Sequence, residues 1–303
     1  MLYLGIDAGG TKTEIQGVDE TLESCILFET VGADITSKPA AEVERILREG
    51  LERVLETGEP LGGVVIGAPG YGEAESWVRD LETVCRGVFE GVPYRLFNDV
   101  ELALEAAFPV GAGVLALAGT GSMAYAKDGA GRTCRVGGWG TLFGDEGSAF
   151  AVGVAALQAV SREVDGRGPP TALTGRVLEH PSPAGLWQLF PNGTDAARAE
   201  VASYARQVEQ AASAGDAVAQ SILEHAADAL LEQAEAAREN LDLAPGTSLA
   251  TLGGMFRSSG YSEHFARRAR ALEYTLVAPA AGPSLGGARL ARSLFGPRVS
   301  TSV

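Results

Sequence analysis

The chain has 303 residues, 46% of them hydrophobic and 21% charged, and its 40 glycines are well above ordinary usage. This length is sufficient for two domains. The formal net charge of −15 argues against a nucleic acid or an anionic membrane as partner, because both are bound through basic patches. Any nucleotide would therefore have to be held by backbone N–H groups, a few placed cations and Mg²⁺.

The cysteine pattern and the hydropathy pattern predict a cytoplasmic protein with no membrane partner. Cys25, Cys85 and Cys134 are widely spaced, which favours neither a disulfide framework nor a zinc site and fits a reducing compartment. The longest apolar run, residues 149–160, is too short to cross a bilayer. The N-terminus has no basic segment followed by an apolar core, so no secretory signal is expected.

The first 110 residues predict an α/β layer. Apolar runs predict strands at 2–6, 14–18 and 25–29, a helix at 40–55, a strand in GGVVIGAPG, a helix at 77–89 and a strand leading to a helix near residue 99. At Gly113 the pattern restarts, because GVLALAGTGSMAYAK repeats the opening order of strand, glycine turn and strand.

The repeat indicates a duplicated α/β domain. The predicted domains are residues 1–112 and residues 113–285, with the C-terminal helix at 286–303 as a candidate addition to the first domain. Helices are predicted at 149–162, 195–214 and 216–241, before a strand in SLATL and a final strand and helix.

The first glycine turn, DAGGTKT, has the composition of a phosphate-binding loop. A mononucleotide P-loop is excluded, because Thr11 separates Gly10 from Lys12 and a strand follows where a helix is required. A dinucleotide loop fails for the same reason. The turn is therefore either the tip of a β-hairpin whose N–H groups and hydroxyls bind phosphate, or a purely structural turn. AGTGS at 118–122 is a second such tip, and two tips could hold a polyphosphate from both sides.

Three further segments each allow a structural and a functional interpretation. In FNDVELALEAAF, Asn98 or Asp99 could cap a helix, or Asp99 could accept a proton at the carboxyl end of a strand. In VGGWGTLFGDEGSAFAVG, the acidic pair could complement a helix dipole, or the loop around Trp139 could shape a ligand pocket. In TLGGMFRSSG, the double glycine allows either close packing or the approach of a flat ligand. The three histidines share no motif, which speaks against imidazole ligands for a metal.

Together these segments resemble the superfamily of sugar kinases, heat-shock proteins and actin, and within it the N-acetylglucosamine kinase group and the BadF/BadG/BcrA/BcrD ATPase family. The resemblance covers nearly the whole chain in order. It rests on DAGGTKT, NDVELAL, AGTGS, GGWGTLFGDEGSA, LGGMFRS and GPSLGGARLA. It implies two duplicated actin-like (ribonuclease H-like) domains with a nucleotide and sugar cleft between them.

The resemblance also implies a role for each matching residue. Asp99 would be the catalytic base, and Asp7 would hold Mg²⁺ through water. The residues expected to bind ATP are Asp7, Gly9, Gly10, Thr11, Lys12, Gly119, Thr120, Gly121, Ser122, Gly253, Gly254 and Arg257. The residues expected to bind the sugar are Gly138, Trp139, Asp145 and Glu146.

The chain departs from the family in the loop at 32–39, GADITSKP, which lacks the usual sugar-binding Asn; Asp34 and Thr36 are its candidate substitutes. The expected activity is ATP-dependent phosphorylation of the 6-hydroxyl of an amino sugar, with N-acetylglucosamine first and glucosamine, glucose and N-acetylmuramate as alternatives. An activator ATPase for a partner enzyme is the alternative of another class, although Cys134 is the only cysteine in the second half. A sugar sensor without catalysis is a third alternative. The resemblance also implies a homodimer.

Overall fold

The computed structural model describes residues 1–178 and 198–297. The first three residues of the helix predicted at 195–214 and the last six of the segment 286–303 therefore lie outside the described residues. The chain divides into two compact units: unit 1 consists of residues 1–110 with the chain from 279 onward, and unit 2 consists of residues 111–278.

Unit 1 is a five-stranded sheet with helices on both faces. Its strands are β1 (Leu2–Ala8), β2 (Lys12–Val18), β3 (Ser24–Val31), β4 (Leu61–Ala68) and β5 (Tyr94–Asn98). Its helices are α1 (Ala40–Leu55), α2 (Glu75–Val88), α3 (Asp99–Ala107) and the C-terminal α10 (Pro283–Phe295). The strand order is β3-β2-β1-β4-β5. Strands β1, β4 and β5 pair in parallel, whereas β2 pairs antiparallel with both of its neighbours, β1 and β3.

The alternation of side chains along β1 determines which groups meet at each face of this sheet. Leu4 and Ile6 point into the core formed with α1 and α2, whereas Tyr3 belongs to the opposite core, formed with α3 and α10. Successive side chains of a strand point to opposite faces. Asp7, at the carboxyl end of β1, therefore shares the face of Tyr3, on which α3 begins with Asp99.

Helix α10 lies directly on β1 because two glycines allow the close approach. A Cβ at Gly5 would overlap the carbonyl oxygen of Ser284 and the backbone nitrogen of Ala288. A Cβ at Gly287 would come within 3.1 Å of the Gly5 Cα. The Ser284 hydroxyl also hydrogen-bonds the Glu14 carboxylate on β2, so α10 is tied to both strands of the first hairpin.

Unit 2 repeats the sheet of unit 1. Its strands are β6 (Gly113–Ala118), β7 (Ser122–Lys127), β8 (Thr133–Gly137), β9 (Ser248–Leu252) and β10 (Thr275–Val277). The order β8-β7-β6-β9-β10 matches that of unit 1 strand for strand, with the same antiparallel and parallel pairs. The predicted α/β class and its duplication are confirmed.

The helices of unit 2 include a neighbouring pair where the sequence predicts one continuous helix at 195–214. The described helices are α4 (Ala149–Val164), α5 (Ala172–Val177), α6 (Arg198–Ser203), α7 (Ala205–Ser213), α8 (Ala217–Asn240) and α9 (Ser259–Ala271), with a short 3₁₀ turn at Gly254–Arg257. The described part of the helix predicted at 195–214 is interrupted at Tyr204. Strand β8 and helix α5 were not predicted from the sequence. Among the described residues, none of the helices has the length and apolar character needed to cross a membrane.

The contact between Gly5 and α10 predicts the effect of a single methyl group. Gly5→Ala should lower the free energy of unfolding by about 3 kcal/mol, the upper range for overpacking, because the new Cβ meets backbone atoms that cannot rotate away. Urea unfolding of the purified variants measures this change. Gly129→Ala is the matched control, since a Cβ at Gly129 would have no neighbour within 4 Å. Equal losses in both variants would contradict the packing described here.

Candidate functional site

Asp7 and Glu14 form an acidic pair at the open end of the first hairpin. They are directly opposite each other in the antiparallel ladder of β1 and β2. The Asp7 side chain is mostly buried, and burial, together with the negative charges of Asp99 and Glu14, raises its pKa to about 7. The ammonium of Lys12 lowers the pKa of Asp7, but this effect is outweighed.

The electrostatics at Asp7 fit a divalent cation. A carboxylate whose pKa has risen to about 7 lacks enough positive charge nearby to compensate for its desolvation. Carboxylates, often with retained waters, are the protein ligands that Mg²⁺ prefers. The donor set around Asp7 is therefore suited to Mg²⁺. Among the described residues there is no cluster of three or more histidine, cysteine and carboxylate side chains of the kind that encloses a metal.

Asp99 is placed at the carboxyl end of β5 by the helix cap that precedes it. Asn98 is the N-cap of α3, and its side-chain oxygen accepts the Val100 N–H at 3.1 Å. The Val100 N–H also lies 2.9 Å from Oδ1 of Asp99. Burial raises the pKa of Asp99, as do the charges of Glu73 and Asp34, whereas the hydrogen bond from Val100 lowers it. Asn98 is therefore the helix cap, which leaves the Asp99 carboxylate at the end of β5, and the role of Asp99 as a base stays a prediction.

The loop after β3 brings Asp34 beside the first hairpin. A Cβ at Gly10 would lie 3.4 Å from Oδ2 of Asp34. Oδ1 of Asp34 accepts hydrogen bonds from the backbone N–H and hydroxyl of Thr36 at 2.8 and 2.7 Å, and the Ser37 hydroxyl donates to Oδ2 at 3.1 Å. The loop is thus a tight acidic turn, with the Thr36 hydroxyl directed to Asp34.

The first hairpin, residues 9–12, leaves its tip open to solvent. Gly10 and Thr11 are exposed and Gly9 is partly exposed. Lys12 pairs with Glu29 across the sheet and with Glu14 at 3.3 Å. Its ammonium is therefore already close to two carboxylates of unit 1.

Unit 2 contains a cavity of about 900 Å³ that joins two of the predicted motifs. Gly119 and Thr120 of the second glycine hairpin line it, as do Gly254 and Arg257 of the double-glycine segment. The remaining polar groups come from α6, α7 and the N-terminus of α9, namely Ser203, Arg206, Glu209, Gln210 and Ser258. These side chains were not identified from the sequence, where they fall within ordinary amphipathic helices.

The double glycine at the end of β9 makes close contact with the second hairpin. Gly253 has a φ of 112°, and a Cβ there would overlap the carbonyl oxygen of Ala118. Ser258 caps α9 and its hydroxyl hydrogen-bonds the Glu209 carboxylate. Gly253 is therefore closely packed, whereas Gly254 lines the cavity, and contact with a flat ligand stays a prediction.

The segment GDEGSA is hydrogen-bonded to the second hairpin at several points. The Ser122 hydroxyl donates to the Glu146 carbonyl at 2.6 Å, and the Ala149 N–H donates to the Gly119 carbonyl at 2.9 Å. The Gln233 side-chain amide, from α8, donates to the same Glu146 carbonyl at 3.0 Å. Asp145 and Glu146 thus fix the geometry of the hairpin at residues 119–122.

Asp145 is a buried carboxylate with a partner on each oxygen. Its side chain is 3% exposed. Oδ1 accepts the Ser122 N–H at 3.2 Å, and Oδ2 forms an ion pair with Arg198 at 2.5 Å. The sequence interpretation did not include Arg198, which is 53 residues away along the chain.

The tip of the same loop exposes apolar side chains. Trp139, Leu142 and Phe143 are 65%, 84% and 76% exposed, and the Arg135 guanidinium lies 5.1 Å from the centre of the Trp139 ring. Gly138 is partly exposed, with a φ of 71°. The loop therefore presents an aromatic ring to solvent, and its role in shaping a sugar pocket stays a prediction.

Comparison with known proteins places these features in a family. The sequence model of the BadF/BadG/BcrA/BcrD ATPase family matches residues 4–291. The chain is 31% identical over 283 residues to an N-acetylmuramic acid/N-acetylglucosamine kinase of Clostridium acetobutylicum, covering 90% of this chain and 92% of that protein.

Solved structures share the fold. A candidate N-acetylglucosamine kinase from Chromobacterium violaceum matches with a TM-score of 0.74 and 23% identity, covering 95% of this chain and 98% of that one. A ROK family glucokinase from Streptomyces griseus, solved with glucose and AMPPNP, matches with a TM-score of 0.60 and 18% identity, covering 97% and 100%.

The raised pKa of Asp7 predicts that removing its charge stabilises the metal-free protein. The pKa in the folded state, about 7, exceeds the unfolded value, so wild-type stability falls as the pH rises between about 4 and 7. In the presence of a chelator, Asp7→Asn should be more stable than wild type at pH 8, on the order of 2–4 kcal/mol. This gain should shrink at pH 5, as measured by urea unfolding at both pH values.

Asp19→Asn is the control for this measurement. The carboxylate of Asp19 accepts hydrogen bonds from Thr21 and the Glu23 backbone, which lower its pKa. Its neutralisation should therefore give no gain at either pH. An Asp7→Asn variant no more stable than wild type at pH 8 would contradict the account of Asp7.

Proposed function

Because the chain belongs to the BadF/BadG/BcrA/BcrD ATPase family, we propose that it is an ATP-dependent carbohydrate kinase. The observation that carries the proposal is the pairing of two features in one chain. Unit 1 contains an acidic group at the carboxyl ends of its parallel strands, and unit 2 contains a cavity lined by two glycine-rich motifs. Phosphoryl transfer needs both a proton acceptor and a site for a nucleotide.

Asp99 is the proposed general base. Its carboxylate is positioned by the cap at Asn98, and its pKa is raised by burial. A base with a raised pKa accepts a proton from a hydroxyl more readily than an ordinary carboxylate. Asp99 would take the proton of the sugar hydroxyl while the hydroxyl oxygen forms a bond to the γ-phosphorus and the bond from that phosphorus to the leaving ADP breaks.

Asp7 is the proposed residue for Mg²⁺, which it would hold through water. When bound, the ion neutralises charge on the phosphate oxygens. The role of Asp7 would be to provide negative charge at the end of β1, just before the hairpin tip, where Gly10 and Thr11 are exposed.

The cavity of unit 2 is the proposed site for ATP. The backbone of Gly119–Ser122 and the Thr120 hydroxyl would bind phosphate oxygens, and Gly253 and Gly254 would lie against the adenosine. This proposal is supported by the way both motifs line one cavity of about 900 Å³, a size that suits a nucleotide.

The proposed substrate is N-acetylglucosamine, phosphorylated at its 6-hydroxyl. The Clostridium acetobutylicum relative is named for both N-acetylmuramic acid and N-acetylglucosamine. The charges of unit 1 favour the neutral sugar, because Asp7 is close enough to feel the negative charge of Asp99, and Asp99 feels that of Asp34. N-acetylmuramate carries a carboxylate, which this acidic group would repel.

Replacement of the base tests the proposed mechanism. Asp99→Asn should lower kcat for sugar phosphorylation about 10³-fold, within the usual range for general-base catalysis. The dissociation constant of AMPPNP should change little, because the proposed contact of Asp99 is with the sugar hydroxyl and not with the nucleotide. A coupled assay of ADP release and calorimetry measure the two quantities. Asp80→Asn, an exposed aspartate on α2, is the control, and unchanged turnover in Asp99→Asn would refute the assignment.

A panel of sugars tests the proposed substrate. We expect kcat/KM to be highest for N-acetylglucosamine and at least about tenfold lower for N-acetylmuramate, the discrimination that about 1.4 kcal/mol of charge repulsion gives. Glucosamine and glucose complete the panel, and product analysis identifies the phosphorylated hydroxyl. A higher kcat/KM for N-acetylmuramate would show that the acidic group does not select against its carboxylate.

A further inference from the structure

The guanidinium of Arg198 lies on the glycine hairpin of unit 2. A Cβ at Gly121 would overlap Nη2 of Arg198 and come within 2.6 Å of Oδ1 of Asp145. A side chain at position 121 would therefore displace the arginine or the aspartate that lies beside it. The cation is thus adjacent to backbone N–H groups that form the proposed phosphate site.

Asp145 holds Arg198 in this position at a conformational cost. Its φ of 61° is in the left-handed region, which non-glycine residues rarely adopt. Strain of this kind persists only where surrounding structure imposes it, and it is concentrated at functional sites. The carboxylate bridges the Ser122 N–H and Arg198, so it fixes the arginine relative to the hairpin.

Arg198 retains contact with solvent while its partner does not. The Arg198 side chain is 50% exposed, against 3% for Asp145. A guanidinium has five N–H donors in a planar fork, and the hydrogen bond of Arg198 to Asp145 uses one nitrogen, Nη2. Residues 199, 202 and 203, from the same helix α6, line the cavity together with Gly119 and Thr120.

We propose that Arg198 binds the β- and γ-phosphate oxygens of the nucleotide held at Gly119–Ser122, and that Asp145 is its positioning residue. This inference rests on the proposed kinase function. The chain has a net charge of −15, so the phosphates gain little from the overall field and need a local cation. Arginine forms paired, charge-assisted hydrogen bonds to phosphate that a neutral side chain cannot replace.

The proposed role of Arg198 predicts that its removal lowers the affinity for AMPPNP and ADP more than the affinity for AMP. Arg198→Ala should weaken binding of AMPPNP and of ADP about 10- to 100-fold, the range for a charge-assisted hydrogen bond. Binding of AMP, which lacks these phosphates, should change less than about twofold. Arg198→Lys should give an intermediate loss, since it keeps the charge without the planar fork. Calorimetry with the full chain and excess Mg²⁺ measures each constant.

Arg132→Ala is the matched control. Arg132 is also a half-exposed arginine of unit 2 paired with an aspartate, Asp128, at 2.6 Å. It lies in the turn after β7, at the opposite end of that strand from the glycine hairpin. Its removal should leave the binding of all three nucleotides unchanged.

The outcomes distinguish phosphate binding by Arg198 from a purely structural role of this residue. If Arg198→Ala weakens the binding of AMPPNP, ADP and AMP equally, or does not weaken the binding of any of them, Arg198 does not bind the terminal phosphates. A variant too unstable to titrate is replaced by Arg198→Lys, whose ratio of AMPPNP to AMP affinity must then fall below that of wild type. If wild type binds none of the nucleotides, the proposed function fails as well. If wild type binds them and the ratio does not change in the variants, only the role of Arg198 fails.

Discussion

An uncompensated negative charge at the carboxyl end of β1 dominates the electrostatics of unit 1. The antiparallel register places Asp7 opposite Glu14, and the sheet order and the start of α3 bring Asp99 to the same face. Lys12, the nearby cation, is already paired with Glu29 and Glu14. A fold that places carboxylates together in this way loses stability unless a cation or a proton joins them. Such a cost is expected where function maintains the arrangement.

In unit 2 the negative charge of a buried carboxylate is compensated by a cation of the protein itself. The glycine hairpin of this unit carries no acidic residue, and Ser122 of the hairpin donates hydrogen bonds to the Asp145 side chain and the Glu146 carbonyl. The Gln233 amide of α8 donates to the same Glu146 carbonyl. Asp145, a buried carboxylate beside the hairpin, is paired with Arg198. Unit 2 therefore places an ion pair and a glycine-rich hairpin beside the cavity, an arrangement suited to a polyphosphate.

Local patterns in the sequence were sufficient for the fold class and for the motifs. The glycine hairpins and the strands beside them follow from alternation and turn composition, and the repeat at Gly113 predicts the duplicated sheet, which the structure contains. The short strand β8 escaped notice because TCRVG has only five residues and little apolar character. The roles of Asp7, Asp99 and the other site residues remain predictions.

Contacts between distant segments could not be predicted in the same way. Nothing near Asp145 in the sequence indicates that a residue 53 positions away is its partner. Arg206 and Glu209 lie in a helix whose polar positions look like a solvated face, and only the cavity identifies them as lining residues.

The fate of the γ-phosphate of ATP distinguishes a sugar kinase from an ATPase. Phosphorus-31 NMR of the full chain with ATP, Mg²⁺ and N-acetylglucosamine should show a sugar 6-phosphate formed in step with ADP, and little inorganic phosphate when the sugar is omitted. Inorganic phosphate released at the same rate with and without the sugar would contradict a kinase and indicate an ATPase.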